Sequence, residues 1–77
     1  MDDKILDKAF DMALQLCPAT VGTDDAIDYL ITAMNGYAKE KSLEFTEDDI
    51  KNTISRNIHK LEESEIDFKV PDWTMPR

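Results

Sequence analysis

One cysteine, one histidine, two glycines and no long apolar run: each scarcity in this chain excludes something. With Cys17 alone, no intramolecular disulfide can staple the fold. With His59 alone and no Cys/His cluster, a structural zinc site lacks its ligands. Gly22 and Gly36 are too few to build a phosphate-cradling loop. No segment approaches the roughly 18 apolar residues of a membrane span. The opening Met1-Asp2-Asp3-Lys4 lacks the basic and apolar regions of a signal peptide. A lone cysteine then fits a reducing, cytoplasmic setting. Positive charge is also scarce. Nine Lys and Arg stand against seventeen Asp and Glu, a net charge of -8. That balance disfavours direct nucleic-acid binding, which needs cations to neutralise phosphates, and disfavours anionic membranes for the same reason.

What is present is enough for one small domain. A chain of 77 residues buries only about 60% of its unfolded surface. Such scaffolds lean on a disulfide, a metal, tight helix packing or association. With the first two excluded, packing or a second chain remains.

The periodicity predicts a mainly α protein: a three-helix domain over residues 1–65 and an extended C-terminal arm over 66–77. The first helix is expected from about Asp2 to Leu16. Ile5, Leu6, Ala9, Phe10, Met12, Ala13, Leu14, Leu16 and Cys17 fill an arc of roughly 200° at 100° per residue. Asp2 and Asp3 suit the positive end of the helix dipole, and Pro18 ends the helix by pushing Cys17 out of the α region. An arc this wide exceeds the stripe of an ordinary surface helix. The first helix should therefore be central to the fold or meet another chain.

Thr23 is the expected N-cap of a second helix over 24–41. Its stripe is Ala26, Ile27, Leu30, Ile31, Ala33, Met34, Tyr37 and Ala38, with Tyr29 at the edge. Gly36 could end the helix at Asn35 as a C′ residue, but Tyr37 and Ala38 continue the stripe in phase, so a helix that tolerates a glycine penalty of about 1 kcal/mol is expected. The third helix, over 47–64, has the clearest start. Thr46 is its N-cap, Asp49 closes a variant capping box, and Phe45 with Ile50 makes a hydrophobic staple. Its narrow stripe of Ile50, Ile54, Ile58 and Leu61 predicts a peripheral helix. Ile66, Phe68 and Val70 then alternate with Asp67 and Lys69, the period of a strand. A short strand at Leu43 and Phe45 is a candidate neighbour for that arm.

The residues with reactive side chains read blandly. Asp24/Asp25/Asp28, Glu47/Asp48/Asp49 and Glu62/Glu63/Glu65 lack the alternating acids and central glycine of a calcium loop. Two of the three sit at helix starts, where the dipole favours acid. His59 is expected to face solvent without a nucleophile or second ligand, and Cys17 to be a buried structural thiol. Neither a catalytic set, a cofactor nor a small-molecule substrate is indicated. Length, acidity and helicity are similar to those of acyl carrier proteins, which carry phosphopantetheine on the serine of an Asp-Ser-Leu motif at a helix start. The Ser-Leu pair here, Ser42-Leu43, follows Lys41 in an expected inter-helix loop, so the similarity is one of composition.

The function expected from these residues is a small acidic protein-interaction module: an adaptor, inhibitor or assembly subunit that binds another protein or itself. The wide face of the first helix and the apolar arm motivate it, with Leu14, Tyr29, Ile66, Phe68, Val70, Trp73 and Met75 as candidate partner-binding residues. Trp in particular is enriched where binding energy concentrates. One alternative is a nucleic-acid mimic that offers its acidic surface to a DNA- or RNA-binding cleft. Another is a helix-turn-helix DNA reader using Asn52, Ser55, Arg56 and Asn57, with Lys51 and Lys60 alongside.

Overall fold

In a computed structural model, which describes residues 2–18 and 22–74, the domain is all α. Asp2 starts the first helix by accepting the Lys4 N–H at 2.9 Å on its side chain. Helix α1 then runs Asp3–Leu16, and Cys17 is already extended ahead of Pro18. After it come α2 at Ala26–Glu40, α3 at Glu47–Arg56, a short α4 at Ile58–Glu63 and a 3-10 turn at Asp72–Thr74. Helix α1 packs against both α2 and α3, and the 3-10 turn rests on α3. Phe10, Leu6, Leu30, Met34, Ile54 and Leu61 are fully buried at the centre. Cys17 is buried beside them as a free thiol, and burial pushes its pKa up.

The start of α3 follows the sequence pattern closely. Thr46 Oγ1 accepts the Asp49 N–H at 3.0 Å, and Asp49 Oδ2 accepts the Thr46 N–H at 3.1 Å. The second bond holds the Asp49 carboxyl below the usual carboxylate range. Phe45 packs on the core that contains Ile50, as a staple requires.

Helix α2 begins later than expected. Thr23 lies in a turn rather than at the cap; Asp25 occupies the N-cap without a side-chain bond, and Gly22 C=O accepts the N–H groups of Asp25 and Ala26. Gly36 stays inside the helix, as its neighbours' phase predicts. Helices α2 and α4 then end alike. Leu43 N–H reaches Ala38 C=O and Ser42 N–H reaches Lys39 C=O; Ile66 N–H reaches Leu61 C=O and Glu65 N–H reaches Glu62 C=O. This is the Schellman pattern. Its left-handed residues are Ser42 and Glu65, both at φ 59°, where glycine would relieve strain of about 1 kcal/mol.

Two further expectations need correction. The third helix is not continuous over 47–64. Asn57, at φ -111° and ψ 15°, separates α3 from α4. Its side chain donates to Thr53 C=O at 2.8 Å and to Asp7 Oδ1 at 3.0 Å. The backbone N–H is shared between the Thr53 and Ile54 carbonyls. A short amide side chain that competes for backbone partners is a helix breaker, and here it is also buried and tied to α1. Second, no strand forms among the described residues, either over 66–70 or at Leu43–Phe45. The alternation of the arm is used differently: Ile66 is buried and Phe68 half-buried against the core, while Asp67 and Lys69 face solvent. A bond from Lys69 N–H to Thr23 C=O, 3.2 Å, ties the arm to the α1–α2 connection.

Candidate functional site

The wide arc of α1 is divided between its neighbours. Leu6, Ala9, Phe10 and Ala13 are buried in the core. The flank toward α3 and α4 is polar. Asp3, Asp7 and Asp11 repeat at every fourth residue, and Arg56 and Lys60 share that spacing, so the two rows meet side by side. Arg56 lies 2.9 Å from Asp7 and 3.8 Å from Asp3, and Lys60 lies 2.9 Å from Asp11. These pairs are partly solvated and individually contribute little stability. Asp7 is different in also accepting the buried Asn57 amide. That bond first, with Arg56 beside it, holds the Asp7 carboxyl below its ordinary range despite partial desolvation.

The flank toward α2 is apolar and open. Met12 and Leu16 stand 41% and 63% exposed. Together with Ala13 they line a groove of about 410 Å³, whose other wall is Tyr29, Thr32, Ala33, Gly36, Tyr37 and Glu40 of α2. Small residues set its depth: a Cβ added at Gly36 would meet nothing within 4 Å. Tyr29 closes one end by donating its hydroxyl to Leu16 C=O at 2.9 Å, which satisfies a carbonyl of the last α1 turn. Lys41 sits 6.0 Å from the Tyr37 ring at the α2 C-terminal end.

The arm forms a second, smaller feature. Val70 and Trp73 are 49% and 37% exposed. Lys51 lies 5.7 Å from the Trp73 ring centroid and 2.9 Å from Glu47. Asp24, Ile27, Asp28 and Ile31 of the α2 region face this arm across a cleft of about 250 Å³.

The expected partner-binding residues are therefore not one patch. Tyr29 lines the α1/α2 groove, while Leu14 packs half-buried against the core. Ile66 is a core residue and Phe68 leans on the core, so both are occupied within the chain. Val70 and Trp73 share the arm cleft. Met75 lies outside the described residues. The groove residues Met12, Leu16, Ala33, Gly36 and Tyr37 were absent from the expected set. For Met12 and Leu16 the signal is the 200° arc of α1, which α2 alone is too narrow to cover.

The remaining chemistry is sparse. His59 is solvent-exposed on α4. Among the described residues, no group of three His, Cys, Asp or Glu is arranged to hold a metal, and no helix is long and apolar enough to cross a membrane. No family model, curated protein or solved structure matches the chain.

Proposed function

We propose that this chain is a non-catalytic protein-interaction module whose docking face is the α1/α2 groove. The observation that carries the reading is the exposure of Leu16 and Met12 beside a recess lined in part by Ala13, Ala33 and Gly36, on a chain in which 34% of residues are charged. Grouped apolar exposure on a small, highly charged surface marks contact sites. The helix-turn-helix alternative loses support, because Arg56 and Lys60 are already engaged by Asp3, Asp7 and Asp11.

The test is a photo-crosslinking side chain at position 16 of the full chain, in the cells that make it, with the exposed position 44 as control. The reading expects protein adducts at 16 and not at 44. Equal yields at both positions, or no protein adduct at 16, would sink it.

A further inference from the structure

We propose that the occupant of the groove is a second copy of this chain, related by a two-fold axis. The inference rests on the reading of the groove as a protein-docking face and adds the identity of what docks. Three observations point to self-association. Protrusion and recess lie side by side on one patch: Leu16 and Met12 stand out, and Gly36 leaves room. A two-fold contact requires this of a surface, because each copy must supply both the knob and the hole.

The second observation is the distribution of charge. A basic peptide would be the natural complement of a chain at -8, yet among the described residues Glu40 is the only carboxylate lining the groove. Asp3, Asp7 and Asp11 lie on the other flank of α1, paired with Arg56 and Lys60. Asp24 and Asp28 face the arm, and Glu47 borders the cleft between α2 and α3. The groove is thus near-neutral, and apposing two of them keeps the acidic clusters out of the contact. Charge complementarity selects a near-neutral occupant here, not a cationic one. Third, a 77-residue chain with a free thiol and no metal cluster among its described residues belongs to the size class in which association commonly completes the core.

Sedimentation equilibrium of the full chain tests this. The wild type should be dimeric at about 50 µM, with mass falling on dilution. Leu16→Glu charges the protrusion and Gly36→Glu fills and charges the recess. Each should weaken self-association by about tenfold or more while circular dichroism stays helical. Val70→Glu makes the same change on the exposed arm and should leave association unaltered. A wild type that is monomeric at about 200 µM overturns the proposal, as does a dimer indifferent to both groove variants or broken by Val70→Glu. A monomer whose position-16 crosslinker captures a different protein overturns the second copy alone and leaves the docking face standing. A monomer without protein adducts at 16 removes both.

Discussion

Along the flank of α1 that faces α3 and α4, Asp3, Asp7 and Asp11 meet Arg56, Asn57 and Lys60. Along the flank that borders α2, Met12 and Leu16 stand exposed next to Gly36. The charged flank is thus closed by the chain itself, and the apolar flank is left open. Directional bonds between α1 and a segment some fifty positions later in the chain specify how the helices register. Apolar surface carries no such direction, so the open flank is free to accept any complementary shape. Substitutions that perturb one flank and spare the other can break or sharpen this contrast.

The largest effect is expected from Asn57→Ala on the closed flank. It removes both amide bonds of a residue only 6% exposed, while Thr53 C=O keeps the residue-57 backbone N–H and Asp7 keeps Arg56. The expected loss is about 1–3 kcal/mol in urea unfolding. The same variant should flatten the acid limb of stability. A carboxyl held below its ordinary pKa in the folded state adds stability that is complete above the unfolded pKa. That stability drains away as pH falls through the lowered value. Wild type should therefore weaken between neutral pH and about pH 3 by more than Asn57→Ala does. Equal slopes would remove Asp7 as the cause. On the open flank, Gly36→Ala should raise stability by up to about 1 kcal/mol, because the added methyl meets no neighbour and only helix propensity changes. A loss instead would mean that α1 lies closer to α2 than the open groove implies. The smallest effect belongs to Leu16→Glu. At concentrations where the chain is monomeric, its unfolding free energy should stay within about 0.5 kcal/mol of wild type. A larger penalty would show that Leu16 is core after all, and the contrast between the flanks would collapse.

Much of this architecture was legible in the residues, and the failures have physical reasons. The stripe of α1, the Pro18 stop, the Thr46–Asp49 capping box and the tolerated Gly36 are local patterns with local causes. Asn57 was invisible in the stripe of the third helix, since Ile50, Ile54, Ile58 and Leu61 keep their phase across the break. Its partner, Asp7, lies fifty positions away, and only the matching spacing of Asp7/Asp11 and Arg56/Lys60 hints at the pairing. Thr23 looked like a cap because a hydroxyl before two acids is a common start. Its carbonyl instead takes the Lys69 N–H, a tertiary bond that propensity does not encode. The helix ends at Ser42 and Glu65 lack the glycine that usually signals them. The arm had the alternation of a strand but, among the described residues, no strand beside it with which to build a ladder. As for the proposed site, the width of the α1 arc pointed to the helix that borders the open groove. Which part of the arc stays uncovered depends on where α2 and α3 land, and no single stripe contains that information.

The burial of Cys17 has a kinetic consequence. It is the chain's one thiol; it sits at the end of α1 against the core, and burial disfavours its reactive thiolate. A thiol reagent should therefore react slowly, and faster when that corner of the molecule opens. Its labelling rate is a clock for local opening at the α1–α2 junction, readable in the unmodified protein without an introduced probe.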